Sequence, residues 1–264
     1  MKATVFLGGG RITGALCAGL RLAGDRRRLV VYDRHREKVR AMRRESRVEI
    51  ARDLRSAIDS AELVIVAVRP ESVKEMLAQV AACGAKLPRL WISLAAGIPL
   101  ENLRRWLSSI RWVRVMPSPL CRMGKGLNPV CFDVGTSAGE KRLVRELFRK
   151  VGPTFEIPES QMDAMTATHS STHGYHALAA LAKGARDAGL DYKTALIAAA
   201  HALGDGILYW RESGRSLDEL LEEAATPGGI AAATMAAMDK AGYARAVAKG
   251  LAAGIEQARR NAKG

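Results

Sequence analysis

The chain has 264 residues, of which 48% are hydrophobic and 26% charged, as is usual for a folded globular protein. This length suits two domains of ordinary size better than one core. The formal net charge is +14, yet aromatic residues make up only 5% of the chain. A nucleic-acid-binding face usually interleaves aromatic side chains with its cations, so no nucleic acid is expected as a partner. The charge is interpreted as a solvated surface that favours small anionic ligands.

No stretch approaches the ~20 apolar residues that a membrane span needs, so no membrane contact is predicted. The apolar run at residues 3–7 is too short for a signal peptide and ends in glycine. We therefore expect a cytoplasmic protein. The four cysteines form no CxxC pair and are predicted to be small buried residues. They are Cys17, Cys83, Cys121 and Cys131.

Short apolar runs alternate with amphipathic segments over the first half of the chain. Such alternation predicts parallel strands joined by right-handed helical crossovers. The predicted strands are Thr4–Leu7, Leu29–Tyr32, Val48–Ala51, Leu63–Val68, Leu90–Leu94 and Trp112–Val115. The predicted helices are Ile12–Ala23, His35–Arg44, one opened by Pro70, and Pro99–Leu107. This pattern predicts an α/β Rossmann domain with a parallel, doubly wound sheet.

The pattern changes after Pro117–Pro119, and the chain is almost wholly helical from Gln161 onward. We place the domain boundary near Pro158, giving an α/β domain over residues 1–158 and an all-α domain over residues 159–264. The last residues, 259–264, are expected to fray. Before the boundary we predict a strand at Pro129–Phe132, a helix at Glu140–Val151 and a last strand at Thr154–Ile157. After it we predict the helices His173–Ala188, Lys193–Arg211, Leu217–Ala224, Ile230–Lys240 and Tyr243–Arg260.

A glycine turn follows the first predicted strand and opens the first predicted helix, which is the setting of a dinucleotide-binding motif. Gly8 permits the tight turn, and Gly10 lets a pyrophosphate approach the backbone at the helix N-terminus. The third glycine of the G-x-G-x-x-G pattern is replaced by Thr13. We expect Thr13 to space the helix from the strand, or Gly14 to take over the close packing. The predicted cofactor contacts of this turn are Gly8, Gly10, Arg11 and Ile12.

The end of the second predicted strand carries conflicting signals about the cofactor. Asp33 stands where an aspartate can bind the ribose hydroxyls of NAD. The cations that follow it, beginning with Arg34, could instead hold the 2′-phosphate of NADP, which Asp33 would repel unless it turned away. NAD and NADP both stay open, with a slight preference for NADP. The cationic residues are Arg34, His35, Arg36 and Lys38.

Further strings occur across nearly the whole chain in an order found in one enzyme family. They are Val66–Pro70, Ser93–Ile98, Arg114–Pro117, Asp163–Ala167 and Thr226–Gly229. With them the chain resembles the pyrroline-5-carboxylate reductases, which reduce a cyclic imine to proline with NAD(P)H. The resemblance implies a Rossmann domain followed by a helical domain that dimerises by interlocking helices, giving a homodimer or a ring of dimers. It also implies a substrate site between the nicotinamide and the helical domain. The cofactor contacts that it implies are Val68, Arg69, Pro70 and Met116.

The departures from the family pattern lie where the substrate should bind. The family usually has Asn-Thr-Pro where this chain has Ser118–Leu120. Where the family has a Ser-Gly-Ser-Gly-Pro-Ala-Tyr type of loop, this chain has His169–Tyr175. Where the family has a threonine after Pro-Gly-Gly, this chain has Ala231. Losing one hydroxyl that contacts a buried anion costs roughly 1–3 kcal/mol. Because of these changes, we expect a different imine substrate as strongly as the substrate that the family uses.

The altered loop also brings in groups that can move a proton. Hydride transfer to an imine needs one proton, and a histidine can supply it at neutral pH. We predict His169 or His173 as the general acid or orienting group, with Tyr175 as the third candidate. No metal is predicted, because the loop composition does not indicate a helix that starts at His169. The predicted substrate contacts are Ser170, Ser171, Thr172, Gly228, Gly229 and Ile230.

The sequence therefore predicts an NAD(P)H-dependent reductase that acts on pyrroline-5-carboxylate or on another cyclic or Schiff-base imine, with this small molecule as its partner. One alternative is a non-catalytic or regulatory dinucleotide-binding protein on the same fold, which the loss of the hydroxyl at Ala231 motivates. Another is a β-hydroxyacid dehydrogenase. That group places an asparagine about one turn after a lysine on the interdomain helix, and no asparagine follows Lys183 here.

Overall fold

The computed structural model describes residues 2–263, apart from the side chain of Lys38. Its first half is built on an eight-stranded sheet in the order β3-β2-β1-β4-β5-β6-β7-β8. All eight predicted strands are found, and every pairing is parallel except that of β6 with β7. The strands are β1 (Ala3–Leu7), β2 (Leu29–Tyr32), β3 (Glu49–Ile50), β4 (Ala61–Val66), β5 (Leu90–Ser93), β6 (Arg111–Val115), β7 (Asn128–Phe132) and β8 (Thr154–Glu156). The doubly wound α/β fold is thus confirmed.

Helices pack against the sheet, and helices also form most of the chain that follows it. Those up to residue 168 are α1 (Arg11–Leu22), α2 (Arg36–Ser46), α3 (Leu54–Asp59), α4 (Val73–Ala82), α5 (Leu100–Trp106), α6 (Ala138–Arg149) and α7 (Glu159–Thr168). The later ones are α8 (Thr172–Asp187), α9 (Tyr192–Ser213), α10 (Leu217–Ala224), α11 (Ile230–Lys240) and α12 (Tyr243–Lys263). No described helix has the combination of length and apolar character that crossing a bilayer requires.

Apolar side chains fill both faces of the sheet, which explains why its central strands are mostly apolar. On one face, Trp91 of β5 and Trp112 of β6 meet edge to face, with ring centroids 5.8 Å apart. On the opposite face, Phe6 of β1 and Ile65 of β4 belong to a core that includes Phe148 of α6. The sheet is therefore buried on both faces, and it fixes the positions of the loops at the carboxyl ends of its strands.

The chain divides into two compact units. The first comprises everything up to His169 together with the segment from Ala253, and the second is Ser170–Ala252. These limits differ from the boundary suggested near Pro158, which coincides with the start of α7. Met162 of α7 is fully buried in the sheet's core, so α7 belongs with the first unit.

The end of α12 is fixed to the first unit, so the expected fraying is wrong for the described residues up to Lys263. The Asn261 amide donates a hydrogen bond of 3.2 Å to the Ala96 carbonyl oxygen. The Asn102 amide donates one of 2.6 Å to the Ala262 carbonyl oxygen. The reason is close packing: Gly97 has φ +80, and a Cβ atom there would stand 2.3 Å from the Ala258 carbonyl oxygen.

Candidate active site

The turn between β1 and α1 has the shape of a dinucleotide-binding glycine loop. Gly8 adopts φ +110, and a Cβ atom there would lie 2.6 Å from the carbonyl oxygen of Ala67. A side chain would therefore clash with the backbone that follows β4, so the position needs glycine for its conformation and for its packing. The same approach puts Val68, whose nitrogen lies 3.0 Å from that Cβ position, beside the turn. Pro70 then opens the short 3₁₀ turn that leads into α4.

The N-terminus of α1 can accept an anion. Gly10 is the N-cap, and no side chain caps the helix there. Nothing lies within 4 Å of the place where a Cβ atom of Gly10 would stand. The first amide groups of a helix, here those of Arg11 and Ile12, have no partner within the helix and carry its positive end charge. A pyrophosphate could therefore approach the backbone at this point.

Thr13 has a role that the sequence reasoning did not identify. Its buried hydroxyl donates a hydrogen bond of 2.7 Å to the Gly8 carbonyl oxygen and so closes the glycine turn. Gly14 does not take over the close packing, since a Cβ atom there would make an ordinary contact of 3.6 Å with Met42. A close approach on α1 occurs instead at Gly19, where a Cβ atom would stand 1.9 Å from the carbonyl oxygen of Cys121, in the 3₁₀ turn Pro119–Met123 and not in a strand. A glycine in the middle of a predicted helix was the available signal.

Asp33, at the end of β2, is tied to the backbone on both sides. Its Oδ2 accepts a hydrogen bond of 2.7 Å from the Gly9 N–H, and its Oδ1 accepts one of 2.8 Å from the His35 N–H. The carboxylate therefore fastens the end of β2 to the glycine turn. The exposed Arg34 stands next to it in the chain. The structure thus brings Asp33 together with the turn around Gly8, while the cofactor contacts of Asp33 and Arg34 stay predictions.

The carboxyl end of β6 is fixed to α7. The side chain of Arg114 is only 2% exposed, and its Nη1 donates a hydrogen bond of 2.9 Å to Glu159 Oε1. Its Nη2 lies 3.4 Å from Asp163 Oδ1. At the other end of α7, the ring of the half-buried His169 lies between two backbone carbonyl groups, with Nε2 2.8 Å from the oxygen of Met116. The sequence reasoning did not foresee that His169 contacts Met116.

The second part of the predicted substrate loop is helical, as the predicted helix from His173 requires, and no helix begins at His169. In the second unit, α8 begins at Thr172, so His173 and Tyr175 lie in its first turn and both are exposed. The hydroxyl groups of Ser170 and Thr172 lie 2.7 Å apart. Ser171 occupies the N-cap without a side-chain hydrogen bond to the helix. Polar and titratable groups are therefore concentrated at this helix N-terminus.

The Pro-Gly-Gly segment forms the start of α11. Gly228 has φ +78, and Gly229 is the N-cap, again without a capping side chain. The Gly229 N–H donates a hydrogen bond of 2.9 Å to the Thr226 carbonyl oxygen. Ile230 is 89% exposed, and Ala231 supplies no hydroxyl. The second unit thus has two helix N-termini, at Ser171 and Gly229, at which no side chain caps the helix.

Three of the four cysteines are poor nucleophiles, because burial keeps their thiols protonated. Burial raises the pKa of Cys17 and of Cys121 to about 12, and that of Cys131 to about 11. The thiol of Cys83 is half-buried. Within residues 2–263, no three histidine, cysteine or acidic side chains cluster as a metal site would require.

Two family models match the chain in succession. Residues 4–97 match a model described as NADP oxidoreductase, coenzyme F420-dependent. Residues 159–261 match a model described as pyrroline-5-carboxylate reductase dimerisation. The first match covers β1 to the loop after β5, and the second begins at α7.

Named relatives and solved structures agree with these matches. A pyrroline-5-carboxylate reductase of Kluyveromyces lactis is 31% identical over 220 residues, which cover 82% of this chain and 74% of that protein. One from Haemophilus influenzae is 29% identical over 243 residues, or 90% of this chain and 89% of that protein. The crystal structure of Plasmodium falciparum pyrroline carboxylate reductase with NADP bound superposes with a TM-score of 0.87 at 20% identity, covering 99% of this chain and 98% of that one. This chain belongs to the pyrroline-5-carboxylate reductase family of NAD(P)H-dependent oxidoreductases.

Proposed function

We propose that this enzyme transfers a hydride from C4 of a reduced nicotinamide to the carbon of a C=N bond, in pyrroline-5-carboxylate or a related cyclic or Schiff-base imine. The observation that carries the proposal is the open N-terminus of α1 at Gly10, in a chain whose later residues match the reductase dimerisation model. The first supports a bound dinucleotide, and the second supports the family's class of substrate.

The proposed substrate contacts lie at the two helix N-termini of the second unit. Ser170, Ser171 and Thr172 precede or open α8, and Gly228 and Gly229 precede α11. A substrate carboxylate would be stabilised by backbone N–H groups and hydroxyls there. We propose that His173, or else Tyr175, in the first turn of α8, donates the proton that the nitrogen of the imine takes up.

An oxidation assay tests the reaction itself. The protein is incubated with NADPH or NADH and a panel of cyclic imines that includes pyrroline-5-carboxylate, and the absorbance of the reduced cofactor is followed. We expect turnover with at least one imine. The matched control is Gly10→Val, whose side chain fills the open space that the pyrophosphate needs while its backbone (φ −81) suits any residue. This variant should fold and be inactive.

Two other outcomes would replace the proposal. Tight dinucleotide binding without turnover of any imine would favour a regulatory protein. Oxidation of a 3-hydroxy acid with NAD⁺ would indicate a β-hydroxyacid dehydrogenase instead.

The proton donor is tested by His173→Asn and Tyr175→Phe. Loss of a general acid typically lowers kcat 10²- to 10⁴-fold. We expect that loss in one of the two variants, with a changed pH profile. If both keep the kcat and the pH profile of the wild type, neither side chain is the donor.

We also propose that the enzyme acts as a homodimer formed through the second unit. Of the described residues in Ser170–Ala252, only Ala182, Ala195 and Ala199 are buried, which is too little to stabilise a helical unit alone. Large apolar side chains are instead exposed on α9, and a second copy of the unit would cover them. Light scattering should give twice the mass of the chain, and Trp210→Glu should dissociate the dimer. The exposed residues of α9 include Ile207, Leu208, Tyr209 and Trp210.

A further inference from the structure

Helix α7 is fastened to strand β6 near its two ends. In its first turns, the buried guanidinium of Arg114 bonds to Glu159 and pairs with Asp163. Glu159 Oε1 also accepts a hydrogen bond of 2.6 Å from the Leu100 N–H at the start of α5. At its last turn, His169 is the C-cap. The helix that leads into the second unit is therefore held at a fixed position on the sheet.

The ring of His169 is occupied on both sides. Its Nδ1 lies 2.8 Å from the Met165 carbonyl oxygen, one turn back in α7, and its Nε2 lies 2.8 Å from the Met116 carbonyl oxygen. A carbonyl oxygen only accepts hydrogen bonds, so a neutral ring, which has one N–H, bonds to one of the two oxygens, and only a protonated ring bonds to both. A general acid needs an N–H directed at the substrate, and here both ring nitrogens are directed at the protein backbone.

We infer that His169 is a positioning residue and not the proton donor: its imidazole joins the C-terminus of α7 to the carboxyl end of β6. The inference rests on the proposed function, since it assigns a role in that reaction. Met116, whose own N–H donates a hydrogen bond of 3.0 Å to the Pro129 carbonyl oxygen, is thereby held from both sides.

The position of this contact gives it a consequence for catalysis. Met116 is a predicted cofactor contact at the carboxyl edge of the sheet, where doubly wound folds bind their ligands. Ser170, the residue after His169, is the first of the predicted substrate contacts. One side chain of the first unit thus contacts the backbone of a predicted cofactor contact and directly precedes a predicted substrate contact in the chain. A displacement of about 1 Å there can cost a hundredfold in rate.

The test compares His169→Gln with His169→Ala. The glutamine amide can still donate a hydrogen bond to a carbonyl oxygen but cannot transfer a proton at neutral pH. For a positioning residue, we expect Gln to keep kcat/KM for the imine within about tenfold, and Ala to lose about tenfold to a hundredfold. Both variants should keep the wild-type pH profile. His201→Gln is the matched control, since His201 is exposed on α9 and bonds to Asp205.

Two results would overturn the inference. If Gln is as inactive as Ala, with a loss of 10²- to 10⁴-fold and a changed pH profile, then His169 is the proton donor. If neither variant differs from the wild type, the ring has no role. Should His169→Ala not fold, His169→Asn takes its place, because its shorter amide cannot span both carbonyl groups.

A second measurement separates this inference from the proposed function. Amide hydrogen exchange of the dimer, without substrate, should be faster at residues 116–118 and 166–172 in His169→Ala than in the wild type, and nearly unchanged in His169→Gln. Equal exchange in all three proteins would contradict the positioning role even if no imine were turned over. If the wild type reduces no imine but its amide exchange is still slower than that of His169→Ala, only the proposed function is contradicted.

Discussion

The hydroxyl of Thr13 donates a hydrogen bond of 2.7 Å to the carbonyl oxygen of Gly8, with both residues buried. Thr13, which replaces the third glycine of the dinucleotide motif, thus stabilises the turn at the first glycine. A glycine at position 13 would let the helix approach the strand but would leave this carbonyl group without the hydroxyl. The variant motif therefore has its own means of holding the turn.

Thr13→Val tests this hydrogen bond, because valine keeps the shape and removes the hydroxyl. A buried acceptor left without a partner costs about 1–3 kcal/mol, so the free energy of unfolding in urea should fall by that amount. The affinity for the dinucleotide should weaken as well. Thr13→Ser keeps the hydroxyl and loses one methyl group, at a cost of about 1 kcal/mol. A valine variant as stable as the wild type would contradict the role of the hydroxyl.

Arg34→Ala should reveal which dinucleotide the enzyme prefers. Asp33 is turned to the Gly9 and His35 N–H groups, which leaves the exposed Arg34 beside it to meet a 2′-phosphate. Loss of a charge-assisted hydrogen bond of about 1.5–3 kcal/mol should raise the Kd of NADPH by tenfold to a hundredfold and leave that of NADH unchanged. Arg26→Ala, an exposed arginine before β2, serves as the control. Equal Kd values of NADPH for Arg34→Ala and the wild type would mean that the 2′-phosphate is not bound by Arg34.

Gly97→Ala should destabilise the protein more than Gly84→Ala. Both glycines have a positive φ, +80 and +68, so both variants incur the cost of about 1–2 kcal/mol of a left-handed alanine. A Cβ atom at Gly84 enters open space, whereas one at Gly97 meets the Ala258 carbonyl oxygen at 2.3 Å. The added overlap should cost a further 1–3 kcal/mol or so, measured by urea unfolding. If the two variants are equally stable, the end of α12 does not pack against Gly97 in solution.

Asp25 should make the stability depend on pH in the acid range. Burial alone would raise the pKa of this carboxyl group, but hydrogen bonds from Lys150 and Arg27 outweigh it and lower the pKa below its usual 3.8. Because the folded-state pKa lies below the unfolded one, the stabilisation is present at neutral pH and is lost as the pH falls below about 4. Asp25→Asn should therefore lower the free energy of unfolding at pH 7 by about 1–3 kcal/mol. The difference should shrink at pH 3.

The control for this pH dependence is Asp239→Asn, which changes an exposed carboxylate on α11. Its free energy of unfolding should follow that of the wild type at both pH values. A gap between Asp25→Asn and the wild type that persists undiminished at low pH would show that the ionised carboxylate is not its source.

The sequence was sufficient for most of the fold, because a strand buried on both faces has an apolar run that periodicity detects. It was insufficient for one short helix and for the direction of one strand. Helix α3 (Leu54–Asp59) was not predicted, since it has six residues and depends on the capping box of Asp53 with Ser56. The antiparallel pairing of β7 was likewise missed, because the alternation of elements carries no information on the direction of an edge strand.

The candidate site likewise contains features that the local sequence predicts and others that depend on long-range contacts. Gly8 and Gly10 are identifiable from their place between a strand and a helix. The contact of His169 with Met116 joins residues 53 positions apart, and nothing in either local sequence indicates it. The contacts of Asn102 and Asn261 join residues far more distant along the chain. Such contacts depend on the tertiary fold, which local patterns do not encode.

The return of α12 to the first unit also sets the order in which the protein can be completed during translation. The ribosome makes Ala258–Ala262 after the whole of the second unit, yet these residues contact the loop at Ala96–Gly97 and Asn102. The sheet can form early, but the loop after β5 lacks its last partners until the helical unit has been synthesised. The nascent dinucleotide domain therefore reaches its final structure only when the helices that follow it have emerged.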